Sequence, residues 1–409
     1  MVDRLIHKII IIGGGPAGLM AANMCSRLDI DFLLLERNNR VGKKLLLTGG
    51  SRCNVTNNLS VINFVEQLTI RHNKFLYPSL YAFGPTQIKT FFDQRNCHLI
   101  LENNFKYFPE TNKSQTVIDA LMSDIHEDSI LYKQKVTKVS KVDDLFIVET
   151  TQESYKSEFL IIATGSKSYP KTGSQGDGLR FASSFGIEYK DFTPAETHVY
   201  SNIIAKDYRH FQGVSIENVG VHILGTKIKE TGDLLFTHFG LSGPVIYHLS
   251  EYIYESIQKG KNLIRFSLSS LDEKEIRQIL DNPNKHILKQ LEKVITKRMS
   301  RTILNTLSID NKKIAEISKK QINDIVDLIC RFTVPIEKVE DRENAYVNKG
   351  GVILNEINPQ SMESKKVPNL FFAGETLDIH GPIGGFNITL ALSTAHLAVE
   401  TIHSFLYKS

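Results

Sequence analysis

The feature that most constrains this chain is its opening. A β-branched run, Lys8-Ile9-Ile10-Ile11-Ile12, stops at Gly13-Gly14-Gly15 and passes into Pro16-Ala17-Gly18-Leu19-Met20-Ala21-Ala22. The isoleucines predict a buried strand of a parallel sheet, and the alanine-rich stretch after it predicts a helix. Gly13, Gly15 and Gly18 fit G-x-G-x-x-G with the strand before and the helix after that this motif requires. Gly13 makes the tight turn, Gly15 lets a pyrophosphate approach the backbone, and Gly18 lets helix and strand pack closely. The helix N-terminus adds N–H groups and partial positive charge. A second apolar run, Asp31-Phe32-Leu33-Leu34-Leu35, ends at Glu36, 23 positions after Gly13 and in place to accept hydrogen bonds from a ribose. Together these features predict an adenine dinucleotide site at Gly13, Gly15, Pro16, Ala17, Gly18, Glu36 and the adjoining Arg37.

With 409 residues the chain has room for two or three domains, which excludes a mini-protein stapled by disulfides. Cys25, Cys53, Cys97 and Cys330 lie far apart, without a C-x-x-C pair or a histidine at finger spacing. No metal is therefore expected; the thiols should be free and the compartment reducing. The run Ile9 to Ile12 is too short to span a membrane and leads into glycines instead of a cleavage site. A cytoplasmic protein without membrane partners is expected.

Downstream, Lys135 to Val142 and Leu145 to Thr151 read as strands around Asp143-Asp144. A third follows near Ser154, and then a buried run from Phe159 ends in Ala163-Thr164-Gly165. Near the C-terminus Asn369-Leu370-Phe371-Phe372-Ala373-Gly374-Glu375 is another buried strand, followed by Asp378. In this order the three pieces resemble the FAD domain of glutathione-reductase-like flavoproteins. More particular are Gly42 to Asn57, which holds Lys43-Lys44 and Gly49-Gly50-Ser51-Arg52-Cys53-Asn54, then Leu235 to Pro244, and Gly384-Gly385-Phe386-Asn387. With these the chain closely resembles, end to end, the HI0933-like flavoproteins. It departs from them at Ser51, where glycine is usual, at Phe386, where tyrosine is common, and at Thr394-Ala395-His396, in place of a small, glycine-containing stretch.

The resemblance implies an α/β fold: a Rossmann-like FAD domain of the glutathione-reductase type carrying an inserted β-barrel and a small helical cap. The expected boundaries are 1–188 and 336–409 for the FAD domain, 189–270 for the barrel and 271–335 for the cap. Within the insert, Thr197 to Ile204, Phe211 to Leu224, Thr226 to Thr237 and Leu263 to Leu268 read as strands, and Asp272 to Arg331 as two or three helices. The resemblance also implies that Lys43 or Lys44 approaches the pyrophosphate and that Gly49, Gly50, Arg52 and Asn54 run beside the isoalloxazine. Thr56, Val136, Ala163, Thr164, Gly165, Gly374, Glu375 and Asp378 are expected in the same cofactor site. So are Gly384, Gly385, Phe386, Asn387 and Ile388, where the last helix, Asn387 to Thr401, would turn its dipole toward the flavin's pyrimidine edge.

The net charge of +4 hides an asymmetry. From Lys285 to Lys320 there are ten Lys/Arg and three acids, so this segment is +7 and the remaining 373 residues are −3. Lys285, Lys289, Lys293, Lys297 and Arg301 recur every four positions, and Arg298 lies among them. On one helix they would make a winding basic stripe able to track a phosphate backbone. A solvated helix face is the plain alternative. No aromatic accompanies the stripe, so it would grip a backbone rather than stack bases.

No second G-x-G-x-x-G is present, so NADH or NADPH would visit only transiently as electron donor. Relatives in the resembled family are associated with reducing a uridine of 23S ribosomal RNA to dihydrouridine, with enone reduction on steroid-like acids, and with oxidising small amino ketones such as aminoacetone. The basic segment favours ribosomal RNA; a flavin-bearing RNA-binding factor without turnover is the non-enzymatic alternative. Uridine reduction takes a hydride at C6 and a proton at C5. Cys53 is the first proton donor to test, since an unperturbed thiol is protonated at neutral pH. Arg52 would lower that thiol's pKa or stabilise charge on the uracil carbonyl. His238 and His380 are the next candidates.

Overall fold

Ile9, Ile10, Ile11 and Ile12 are all buried, as a strand paired on both edges beneath helices requires. The computed structural model describes residues 6–102 and 105–407. Ile6–Ile12 pairs in parallel with Phe32–Leu35 on one edge and Ser154–Ile162 on the other. The seven-stranded sheet runs Ile130–Leu131, Phe32–Leu35, Ile6–Ile12, Ser154–Ile162, Leu145–Thr150, Val136–Val142, with Leu370–Phe372 also on Ser154–Ile162. The segments expected as two strands, near Ser154 and from Phe159, are one. Its outer edge is shared: residues 154–157 pair antiparallel with 146–149, and residues 160–162 pair in parallel with 370–372. The return segment thus lands at the carboxyl ends of the parallel strands, where open α/β sheets bind their ligands. The last helix runs Phe386–Tyr407, past the expected Thr401, because Ile402 is still buried and Leu406 still packs on the core.

The chain divides into two compact units, one holding residues up to Thr193 and from Arg342 onward, the other Pro194–Asp341. Both junctions lie five or six residues beyond the expected 188 and 335. Tyr189–Ala195 ladders with Val347–Val352, which ties residues 189–193 to the first unit. Lys338–Val339 pairs with Val199–Tyr200, which keeps 336–341 in the second.

In the second unit seven strands are ordered Phe332–Pro335, Leu263–Phe266, Ser215–Ile223, Lys229–Phe236, Gly240–Ser242, Val199–Tyr200, Lys338–Val339. The end strands are consecutive in the chain. Ile336 N donates to Asn262 O at 2.8 Å and Glu337 N to Tyr200 O at 3.0 Å, so one segment serves both edges and the sheet closes into a barrel. Residues 202–204, expected as the end of a strand, belong instead to the short helix Asn202–Lys206. From Asp272 to Arg331, where two or three helices were expected, there are four: Glu273–Ile279, Ile287–Leu291, Lys297–Thr306 and Lys319–Cys330. They belong to the same compact unit as the barrel. Ile276, Leu291, Ile303 and Ile329 share one apolar cluster with Phe236, Phe266 and Phe332 of the barrel, because helices this short bury their apolar faces only against a neighbour.

The basic segment is not one helix. Ile287 N donates to Lys312 O and Ile314 N to Lys285 O, holding Lys285 extended in a bridge where His286 faces Lys313. A turn then separates the two helices, and Thr296 caps the second through Met299 N. Lys285, Lys289, Lys293, Lys297 and Arg301 therefore do not form a single winding stripe. All five, with Arg298, are nevertheless exposed.

Candidate cofactor cradle and active site

The glycine-rich turn shows why each position is glycine. A Cβ on Gly18 would lie 1.8 Å from Gly13 O, and one on Gly13, where φ is +105°, 2.6 Å from Ala163 O. Those two glycines are used up by protein packing. A Cβ on Gly15 would meet nothing within 4 Å, so the space in front of it is open at the N-terminus of the helix Pro16–Arg27, the place a pyrophosphate needs. Pro16 and Ala17 form that helix's first turn. Glu36 is buried and accepts from Gly14 N at 2.8 Å on one oxygen and from Asn38 N and Nδ2, both at 2.7 Å, on the other. A carboxylate has about four acceptor positions, so one remains for a ribose hydroxyl.

Arg37 donates to Gly173 O at 3.0 Å and to Asp177 Oδ2 at 2.8 Å, anchoring the loop that carries Gly173 and Gly176. Lys43 Nζ donates to Asn38 Oδ1 at 3.2 Å. Lys44 reaches across to the return segment, with its Nζ 2.6 Å from Glu375 Oε2, and Ser166 Oγ donates to the same oxygen at 2.9 Å. Burial works to raise the Glu375 carboxyl, but the Lys44 ammonium and the Ser166 hydroxyl outweigh it and hold it below the usual carboxylate value. Ser166 was not singled out from the sequence; its place just after Ala-Thr-Gly was the available signal. Gly374 N donates to Thr394 Oγ1, and Asp378 is ion-paired with Lys190 at 2.7 Å. Ala163 is buried at the end of its strand, Gly165 N donates to Thr376 Oγ1, and Val136 is buried at the start of the outermost strand. The Thr164 hydroxyl is shielded from solvent and has no partner among the described residues.

The segment expected beside the isoalloxazine is an unusual run of backbone. Gly49, Gly50, Ser51 and Cys53 have φ of +56°, +64°, +70° and +64°. Ser51 thus occupies a left-handed position that glycine fills at less cost. This stretch and the last helix are lashed together. Asn54, oriented to donate to Thr56 O and Tyr107 O, accepts from Gly385 N at 3.0 Å. Thr56 and Thr389 share a hydroxyl hydrogen bond at 2.8 Å, and Asn57 Nδ2 donates to Gly384 O. A Cβ on Gly385 would sit 2.5 Å from the Thr56 backbone. Asn387 clamps its own loop through both Gly381 N and Gly381 O, Phe386 is buried on Phe64, and Ile388 is half-buried.

The proton-donor expectations need correction. Cys53 has no exposed surface; burial pushes its thiol up to about 12, against a smaller lowering by Thr48. A group enclosed in this way has no contact through which to hand a proton to a substrate. Arg52 does not activate it. Its guanidinium is paired with Glu102 at 2.5 Å, donates to Asn112 Oδ1 at 2.6 Å and lies over the Phe108 ring. His380 is 3% exposed, and His238 is exposed in the second unit beside Phe239. The second unit also holds a hydrogen-bonded cluster of titratable groups that sequence reading missed. Tyr200 OH donates to Glu340 Oε2 at 2.8 Å, and His198 Nε2 lies 3.1 Å from the same oxygen. Burial and then Glu340 push the Tyr200 phenol up to about 12. Glu340 lies 140 positions from Tyr200, so no motif announces the cluster.

FAD fits the first unit: an open Gly15 turn on a helix N-terminus, a buried acid with acceptor capacity, and the orphaned Thr164 hydroxyl at a strand end. Among the described residues no group of three or more His, Cys, Asp or Glu is placed to hold a metal, and no helix is long and apolar enough to cross a membrane.

Comparison with known proteins agrees. The chain is 28% identical over 416 residues to a ribosomal RNA dihydrouridine synthase of Haemophilus influenzae, covering 96% of this chain and 98% of that one. It is 26% identical over 408 residues to a 3-dehydro-bile acid delta(4,6)-reductase of Clostridium scindens, with the same coverage. Among solved structures, quinol fumarate reductase of Escherichia coli aligns with a TM-score of 0.53 at 13% identity, over 98% of this chain and 70% of that one. The 3-ketosteroid delta1-dehydrogenase of Sterolibacterium denitrificans aligns at 0.50 and 10%, over 98% and 100%. These two likenesses concern the fold. The HI0933-like protein Rossmann domain family matches residues 7–401, and the chain belongs to that family of FAD-dependent oxidoreductases.

Proposed function

We propose that this enzyme reduces a uridine of large-subunit ribosomal RNA to dihydrouridine, with NADH or NADPH as electron donor, in the cytoplasm. Overall similarity does not choose the substrate, since the RNA enzyme and the bile acid reductase stand at 28% and 26% identity. The observation that carries the reading is the exposed basic segment of the inserted unit. Lys285, Lys289, Lys293, Lys297, Arg298 and Arg301 all face solvent, and of the three nearby acids Glu292 is already paired with Lys289. A surface of this kind suits a polyanion and has no evident use for a small sterol acid.

FAD, when bound, would supply the redox chemistry, passing a hydride from the nicotinamide to the pyrimidine double bond, whose second hydrogen would come as a proton from water. The chain's own residues do the rest. Gly15 and the helix N-terminus take the pyrophosphate, Glu36 the adenosine ribose, and Thr164 and Glu375 polar groups farther along. Asn54, Thr56 and Gly385 fix the loop and the last helix as one rigid wall. The target base must leave its stack, at a cost of a few kcal/mol that backbone contacts to the basic segment offset.

The test is mass spectrometry of ribosomal RNA from a strain lacking the gene. One nucleotide should lose the two-dalton increment of dihydrouridine, and the wild-type gene should restore it. An unchanged spectrum overturns the reading. Release of hydrogen peroxide from aminoacetone in air, without nicotinamide, would support an oxidase instead.

A further inference from the structure

We propose that the flavin-binding unit carries a second nucleotide site, a cleft between the helix Asp177–Ser184 and the strand Tyr189–Ala195 that receives the phosphorylated adenosine of the nicotinamide reductant. This rests on the reading that a reduced nicotinamide supplies the electrons. The cleft has a volume of about 470 Å³, within the ~300–1,000 Å³ usual for small-molecule sites. None of Gly13 to Gly18, Glu36, Gly374 or Glu375 lines it, so it is distinct from the FAD cradle.

Its walls hold what a nucleotide presents. Lys167, Arg180 and Arg342 supply cations, Asp191 a carboxylate, and Tyr189 and Phe192 aromatic rings. Lys167 makes no salt bridge within 4 Å among the described residues, though it is near enough to Glu343 to help hold that carboxyl low. Arg180 shares Asp177 at 3.5 Å and Arg342 holds Glu343 at 3.0 Å; with five N–H donors each, both arginines keep donors for a phosphate. Asp191 is exposed and free to accept from ribose hydroxyls, and Tyr189, 40% exposed, offers a face to a base. Gly176, with φ of +74°, lets its loop lie against the Phe192 ring that floors the cleft.

The cleft and the cradle share framework. Asp177 binds Arg180 of the cleft and Arg37, the neighbour of Glu36. Ser166 donates to Glu375, while the next residue, Lys167, lines the cleft. A reductant held here is held by the same segments that hold the flavin.

The experiment uses the FAD-loaded full chain under anaerobic conditions. Flavin bleaching is followed against NADPH and against NADH, with 2′,5′-ADP, 5′-AMP and inorganic phosphate as competitors. Lys167→Ala and Tyr189→Ala should each raise the half-saturating reductant concentration about ten-fold, leaving the limiting bleaching rate within about two-fold and FAD content unchanged. A loss confined to NADPH assigns Lys167 to the 2′-phosphate; equal losses assign it to the pyrophosphate. Wild-type half-saturation in both variants overturns the proposal. So does 5′-AMP binding that Lys167→Ala abolishes but that does not compete with reductant, which makes the cleft a site for a free nucleotide. If neither nicotinamide bleaches the wild-type flavin, the donor reading itself has failed, a result distinct from bleaching that the variants leave untouched.

Discussion

The flavin-binding unit and the inserted unit store their chemistry in different parts of the chain. In the first, backbone does the work: Gly18 against Gly13 O, Gly13 against Ala163 O and Gly385 against Thr56 are approaches that no side chain survives. In the second, the buried face is a barrel with helices packed on it, and the residues that would select a partner stand in solvent. Close backbone contacts tolerate nothing, whereas a charged surface is graded, each cation adding a little. Function in the first unit should therefore fail abruptly and in the second by degrees.

The sharpest test of that contrast is Gly18→Ala. A methyl group 1.8 Å from a carbonyl oxygen must displace helix or turn, and we expect a loss of about 3 kcal/mol or more with colourless purified protein. Gly15→Ala, whose methyl meets no protein atom, should keep its melting temperature while binding FAD about ten-fold more weakly. Equal damage from the two would break the argument. Next comes Lys44→Met, which strips the counter-ion from Glu375 and should cost about 1–3 kcal/mol, read by thermal unfolding. Because Glu375 is held below its unfolded pKa, its share of stability is full above the ordinary carboxylate value and lost as pH falls through the lowered one. Lys44→Met should flatten that acid limb.

Neutralising Lys289, Lys293 and Lys297 together should leave flavin content and melting temperature alone. RNA affinity should fall about ten-fold and the slope of log affinity against log salt by about 2. An unchanged slope would place any RNA elsewhere. A smaller effect in the opposite direction is expected of Ser51→Gly, which relieves a left-handed serine and should stabilise the protein by about 0.5–1 kcal/mol in denaturant unfolding. The smallest is Cys53→Ala, whose turnover should stay within about two-fold of wild type, where loss of a general acid would cost about a hundred-fold or more. Thiol alkylation of the folded protein at pH 8 should spare Cys53 as well, since burial holds its pKa near 12.

Much of the first unit was legible in advance because its determinants are local. Strand, glycine turn, helix and acid lie within 36 residues, and Gly13 and Gly18 report the close backbone approaches they make. The two segments expected near the flavin, Gly49 to Asn54 and Gly384 to Asn387, are joined to each other through Asn54, Thr56 and Gly385. The basic stripe was misread because a four-residue repeat of lysines fixes a face only if the helix is continuous. Lys285 pairs with the 312–314 segment, and Thr296 starts a new helix, both choices made by contacts outside the repeat.

By itself the sequence determined the dinucleotide fold and the uneven distribution of charge, since these rest on periodicity, glycine spacing and composition over short stretches; FAD came from its resemblance to a flavoprotein family. Tertiary structure decided what depends on distant neighbours. It buried Cys53 and gave Arg52 to Glu102, dividing two residues adjacent in sequence between a closed core and an ion pair. It joined Lys44 to Glu375 across more than 300 positions and assembled His198, Tyr200 and Glu340. Reactivity follows desolvation and partner charge, and both belong to the packed neighbourhood of a side chain, which no local stretch of sequence records.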